Sequence, residues 1–218
     1  MKKESTLYII LFIAGLTLFF GTGVSLVHHL TRNMLAENEL MHQNRTLARA
    51  FDLEFSGTAA SDYLQAVDSK LEKHEIVFEN RTWTVYIKKD VQDAPIGFMF
   101  KGRGIWDVIN GILVLDHGLE HIISLEFTEQ HETPGLGARI EEEDFKKSFA
   151  GLKIAWDKSL DQRIIIGTTA DPDPRNQVDA ITGATQTSQA LMNSLNSELE
   201  AFRRMVREKL QATANSHG

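Results

Sequence analysis

Residues Leu7 to Val27 form an unbroken run, LYIILFIAGLTLFFGTGVSLV, in which no side chain carries a charge. In a bilayer such a run has one backbone solution, because only a helix satisfies every N–H and C=O within a single segment. As a helix its 21 residues extend roughly 31 Å, about the thickness of the hydrocarbon core. A cleaved signal peptide has a shorter apolar region and ends at small residues, whereas this run leads into His28-His29-Leu30. Residues 1–30 are therefore expected to be a retained, single-pass transmembrane anchor. Lys2 and Lys3 precede the run and favour a cytoplasmic N-terminus, but Arg32, Arg45 and Arg49 follow it, so the charges alone nearly cancel. His28 and His29 read as residues of the membrane interface.

The rest of the chain has the make-up of one ordinary domain. With 42% hydrophobic residues a packed core is within reach, and a net charge of -7 without a basic stripe argues against nucleic acid as a partner. The absence of cysteine excludes disulfides, thiolate metal sites and Cys-ligated iron–sulfur clusters. Residues 31–60 read as a polar, partly helical stalk or linker. The main domain is expected over 61–210, with 211–218 a flexible tail. A short amphipathic helix from Ser61 places Tyr63, Leu64, Val67 and Leu71 on one side. Strands are expected at Trp83–Lys88, Ile96–Lys101, Ile112–Leu115, Ile122–Glu129 and Gln162–Thr168, with Asp116-His-Gly118 at a hairpin tip. Asp171-Pro-Asp-Pro174 breaks regular structure. A long helix from about Thr185 to Leu210 carries Leu191, Leu195, Leu199, Phe202, Val206 and Leu210 at three- and four-residue spacing. The fold class is α+β, with a mainly antiparallel sheet packed by helices.

Three short segments carry the chemistry. Asp179-Ala-Ile-Thr-Gly-Ala-Thr-Gln-Thr-Ser188 packs small and hydroxyl residues into the start of that long helix. A helix N-terminus offers unpaired N–H groups and the positive end of a dipole, a setting suited to a phosphate. Gly183 and Ala184 keep the approach open, and Thr185 stands where its hydroxyl can meet that phosphate. Upstream, Lys101-Gly-Arg-Gly-Ile-Trp106 and Glu132-Thr-Pro-Gly-Leu-Gly137 are glycine-rich segments whose backbones can turn tightly and approach a flat ring. Trp106 and Leu136 offer apolar surface, and Glu132 and Thr133 offer hydrogen-bonding groups. Each also has a plainer reading. Trp106 as core, Glu132 as a carboxylate bonded to loop N–H groups, Asp179 as a turn residue, and Thr187 and Ser188 as helix caps all satisfy the same pattern.

Taken together and in this order, the three segments resemble the FMN-binding domain family. Asp-x-x-Thr-Gly-Ala-Thr-x-Thr-Ser is similar to its flavinylation motif, and Glu-Thr-Pro-Gly-Leu-Gly matches its second loop in full. The best-known members are FMN-carrying components of two membrane complexes, the sodium-translocating NADH:quinone reductase and the Rnf ferredoxin:NAD complex. The resemblance implies FMN joined covalently to Thr185 through a phosphodiester, with Trp106, Glu132, Thr133, Leu136, Thr182, Gly183, Ala184, Thr187 and Ser188 as cofactor-binding residues. A threonine hydroxyl is a weak nucleophile without a base or a metal. The resemblance accordingly implies a separate flavin transferase that uses FAD and magnesium, recognises Asp179, and releases AMP. It further implies a flavin domain on the outer face of the cytoplasmic membrane that relays electrons within an ion-translocating respiratory complex beside other subunits. A stand-alone extracytosolic electron-transfer flavoprotein serving another reductase is the alternative. On either reading no catalytic residue and no independent substrate-turnover site are expected, since the cofactor carries the redox chemistry.

Other groups fit chemistry less well. His117 and His121 are four apart, a metal-binding spacing only on a helix, and they bracket the expected hairpin tip. Asp171 and Asp173 lack the ligand count of a calcium loop. With no Walker sequence and no dinucleotide fingerprint, NADH binding is not expected, and no metal site is expected either. Arg103 reads as a solvated arginine.

Overall fold

A computed structural model describes residues 6–55, 57, 59–170 and 172–215, with side chains to residue 209. Lys2, Lys3, Asp171, the side chain of Leu210 and the last part of the expected tail lie outside the described residues. The first helix, α1, spans Thr6–Ala50, and its most apolar window has a mean hydropathy of 2.2. It is long and apolar enough to cross a membrane. The chain divides into two compact units, one ending at His42 and the other beginning at Gln43.

The second unit follows the order α2 (Ala60–Lys70), β1 (Leu71–Phe78), β2 (Arg81–Lys88), β3 (Ile96–Arg103), β4 (Val108–Leu115) and β5 (Ile122–Gln130). Then come α3 (Glu143–Lys147), β6 (Ile165–Ile166), β7 (Gln177–Val178) and α4 (Thr185–Asn215). Strands β1 to β5 pair antiparallel in sequence order, as a meander. The turn between β1 and β2 is the two-residue type that suits strand twist: Glu79 and Asn80 both take positive φ, and Phe78 pairs with Arg81.

Helix α4 covers one face of the sheet with its buried stripe of Leu191, Leu195, Leu199, Phe202 and Met205. Phe202 stacks on Phe98 of β3 with ring centroids 4.1 Å apart. A two-pronged ion pair from Arg81 to Glu198, with both bonds at 2.6 Å, ties β2 to the same helix. The opposite face is covered as well. Ser124 donates to the Ala50 carbonyl at 2.6 Å, and the Phe51 ring lies where a side chain on Gly97 would stand. Strand β4 is thus buried on both faces, which explains its near-continuous apolar sequence from Ile112 to Leu115.

Four local expectations differ from the structure. The helix expected to end near Leu210 runs on to Asn215, through the first part of the expected tail. The domain was expected to begin near residue 61, yet Leu47, Ala48, Ala50, Phe51 and Leu53 are buried in the second unit and continue its outer layer. Strand β1 has no counterpart in the sequence reading, because Glu72, Lys73, His74 and Glu75 give it the polar look of an edge strand. The strand expected over Gln162–Thr168 shrinks to two residues, paired parallel with β7. Asn196 of α4 explains part of this: its side-chain amide accepts from the Ile164 N–H at 3.0 Å and donates to the Ile164 carbonyl at 2.9 Å. A side chain stands where a strand partner would.

Candidate functional site

The three glycine-containing segments lie far apart in sequence but meet around one carboxylate. The first closes β3 onto β4, with the Gly104 N–H donating to the Asp107 carbonyl at 2.8 Å. The second follows β5, where Leu136 and Ala138 both donate to the Thr133 carbonyl at 3.1 Å. The third turns into α4, with Gly183 at φ 81° and Ala184 donating to the Ile181 carbonyl at 2.9 Å. Gly183 needs its glycine, because this left-handed backbone is strained for other residues.

Glu132, only 5% exposed, joins the three. Its Oε1 accepts from the backbone N–H groups of Ile105 (2.8 Å) and Trp106 (3.2 Å). Its Oε2 accepts from the hydroxyl of Thr187 at 2.7 Å. The first bonds hold the β3–β4 turn and the last holds the first turn of α4. The neighbouring glycines make room for it: a Cβ on Gly104 would lie 2.3 Å from Oε1, and one on Gly137 would lie 2.5 Å from Thr187 Oγ1. Gln130 fixes the loop from behind, its side-chain oxygen accepting from the Glu132 N–H at 2.8 Å.

The surface above this anchor is apolar and open. Trp106 is 72% exposed, and its indole N–H donates to Thr133 Oγ1 at 3.0 Å, which fixes the ring against the second loop. Leu136 is 46% exposed and reaches Gly183: a Cβ there would lie 3.3 Å from Leu136 Cδ2. Thr182, Gly183 and Thr185 are exposed, and Thr185 is the first residue of α4. The first main-chain bond closing that turn comes from the Ser188 N–H to Ala184, so the N–H groups before it lack a helical carbonyl. Contiguous exposed apolar patches, unlike apolar residues scattered singly, mark interaction surfaces.

The structure therefore separates the sequence-predicted residues into two sets. Trp106, Thr133, Leu136, Thr182, Gly183 and Thr185 face outward together, and Asp179 is exposed before the turn. Glu132, Ala184, Thr187 and Ser188 face inward. Ser188 Oγ accepts from the Ile181 N–H at 3.1 Å, which braces the turn carrying Thr182 to Ala184. The plainer reading of Glu132 as a carboxylate bonded to loop N–H groups describes its observed bonds, whereas Thr187 and Ser188 do not cap the helix: one donates to Glu132 and the other accepts from the Ile181 N–H ahead of it. Sequence reasoning missed Gln130 and Ser194. Ser194 lies on α4 and accepts from the Arg103 N–H at 3.1 Å, filling the space a side chain on Gly102 would need. Nothing in the local sequence marks either residue.

Two side features fall outside this cluster. His121 Nδ1 lies 2.9 Å from Asp116 Oδ2 in the loop joining β4 to β5, and no group of three metal-ligating side chains occurs among the described residues. Arg175 clamps the segment before the third motif. Its side-chain and backbone hydrogen bonds hold the Asp173 carboxyl down to about 2.

Residues 104–200 match the model of the FMN-binding domain, a span that takes in Gly104, Trp106, the Glu132 loop and the Thr185 turn. The NqrC component of the Na(+)-translocating NADH-quinone reductase of Haemophilus ducreyi is 27% identical over 75% of this chain and 72% of its own. The same-named protein of Neisseria meningitidis serogroup B is 30% identical over 62% of this chain, a match that spans about half (54%) of that protein. In fold, the chain is similar to the crystal structure of the Parabacteroides distasonis NqrC. The TM-score is 0.67 at 20% identity, over 80% of this chain and 96% of that one.

Proposed function

We propose, from the match of residues 104–200 to the FMN-binding domain family, that the protein is a membrane-anchored flavoprotein. It relays electrons as the NqrC-like component of a sodium-translocating NADH:quinone reductase, with FMN bound through a phosphodiester to Thr185. The relatives' names support the quinone-reductase reading over the Rnf one. The observation that carries the attachment is the position of Thr185, exposed at the head of α4 just after a left-handed turn at Gly183 that the Leu136 side chain reaches.

The bound flavin would accept and pass on electrons; the protein's residues supply its place and surroundings. The N–H groups of the first turn of α4 and the hydroxyl of Thr182 would hold the phosphate. Trp106, steadied by Thr133, and Leu136 would cover the ring, and Ser188 keeps the turn in shape. No side chain of this chain needs to act as acid, base or nucleophile toward a substrate. Attachment requires a transferase with FAD and magnesium. In that transfer the Thr185 oxygen would attack the phosphorus of the FMN half, the pyrophosphate P–O bond would break, AMP would leave, and the hydroxyl proton would pass to solvent. Asp179, exposed six residues before Thr185, belongs to the surface this enzyme recognises. The apolar helix anchors the domain in the cytoplasmic membrane with the flavin on its outer face, where lost FMN could not be replaced and a covalent tether retains it.

The test is production with and without a flavin transferase, followed by denaturing electrophoresis. A fluorescent band only with the transferase, and none for Thr185→Ala, supports the proposal. Fluorescence that persists in Thr185→Ala overturns it.

A further inference from the structure

Glu132 poses a physical question that loop anchoring does not answer. A buried carboxylate is costly to keep unless it is well compensated, yet its observed donors are two backbone N–H groups and one hydroxyl, and no ion pair involves it among the described residues. A neutral amide in its place could accept the same two N–H bonds and donate to the Thr187 hydroxyl. The carboxylate therefore adds something that the hydrogen bonds do not require: a net charge. It lies in the one place where the Trp106 turn, the Leu136 loop and the head of α4 meet.

We propose that Glu132 is a positioning residue that sets the spacing between Trp106 and the head of α4, and whose buried charge makes a flavin held there harder to reduce. The inference rests on the reading of Thr185 as the flavin-bearing residue. Two-electron reduction with uptake of one proton leaves a flavin one unit more negative, and a nearby fixed anion opposes that gain. A unit charge within about 12 Å, at an effective dielectric constant of about 20, changes such an equilibrium about tenfold. The position also explains two glycines. Gly104 and Gly137 leave no room for a Cβ beside this carboxylate, so both motifs are shaped around it.

The experiment uses the full-length chain as wild type, Glu132→Gln, Glu132→Ala and Thr187→Val. Amide hydrogen exchange is read on unloaded protein, and the midpoint potential on the flavin-loaded fraction. Glu132→Gln is expected to keep slow exchange at Ile105 and Trp106 while the reduction equilibrium moves about tenfold toward the reduced flavin, about 30 mV for a two-electron couple. Glu132→Ala speeds exchange at those amides at least tenfold, or fails to fold, in which case Thr187→Val is read at the Ser188 amide at the head of α4, where loss of the bond to Glu132 speeds exchange at least tenfold and unchanged exchange overturns the positioning role. Thr187→Val, which removes a donor and leaves the charge, shifts the potential less than Glu132→Gln. An unchanged potential in Glu132→Gln overturns the electrostatic role, and unchanged exchange in Glu132→Ala overturns the positioning role. Wild type that cannot be loaded defeats the attachment reading and the electrostatic role with it, while the exchange data still decide the positioning role.

Discussion

Gly104→Ala puts the convergence on Glu132 to a quantitative test. The added Cβ would lie 2.3 Å from Glu132 Oε1 and 3.0 Å from both the Asp107 carbonyl and Ile109 Cδ1. Ordinary contact begins near 3.4 Å, so the carboxylate must retreat by about 1 Å. Its bonds to the Ile105 and Trp106 N–H groups, now 2.8 and 3.2 Å, then pass out of hydrogen-bonding range. Bonds to a charged acceptor contribute about 1.5–3 kcal/mol each, and water at the exposed side of the turn restores part of this. Alanine also removes about 0.4–1 kcal/mol of unfolded-state freedom. The expected net loss is about 2–3 kcal/mol. Gly135→Ala is the control, since a Cβ there meets nothing within 4 Å and only the left-handed φ of 73° opposes it. That substitution should lose about 1–2 kcal/mol. Urea unfolding of the full chain in detergent, followed by tryptophan fluorescence and extrapolated linearly, measures both. A Gly104→Ala protein as stable as wild type, or more stable than Gly135→Ala, would refute the steric argument.

Two further perturbations separate surface from support. Trp106→Ala should leave stability within about 0.5 kcal/mol, because the ring is 72% exposed, yet change the absorbance of the loaded flavin; identical spectra remove it from the site. Lys146→Met should lose about 2–3 kcal/mol, because Lys146 is nearly buried and bonds Glu126 at 2.8 Å and Glu143 at 2.9 Å, leaving Glu126 uncompensated. Burial draws the Lys146 pKa down, but the bonds to the two carboxylates outweigh it and hold the folded value above the ordinary 10.5. The folded state thus keeps this proton more tightly than the unfolded one. The contribution is complete below the ordinary value and is lost as pH rises through the raised one. Stability of wild type should fall more steeply than that of Lys146→Met above about pH 10.5; parallel curves would contradict this.

Much of the candidate site was legible because its signals are local. Turn glycines, a helix start and an Asp-x-x-Thr-Gly-Ala-Thr pattern announce themselves within a few residues, and so do the β-branched and aromatic runs of β2 to β5. What the sequence hid depends on distant contacts. The bond from Thr187 to Glu132 crosses 55 residues, and that from Arg103 to Ser194 crosses 91. Neither spacing has a periodicity to find. Leu47 to Leu53 read as stalk because their burial is decided by a sheet face whose outer side, at Gly97 and Ser124, gives no apolar signal of its own. Strand β6 was over-read for the opposite reason. Its isoleucines suit a strand, but Asn196 supplies the hydrogen bonds that a longer pairing would have used.

The most direct measurement is the mass of the tryptic peptide spanning residues 176–203, taken from protein produced beside the flavin transferase. The account predicts one added riboflavin phosphate less one water, with fragment ions placing it on Thr185, and its complete loss in Thr185→Ala but not in Thr182→Ala. An unmodified wild-type peptide, or a flavin found on Thr182 or Thr187, would contradict it.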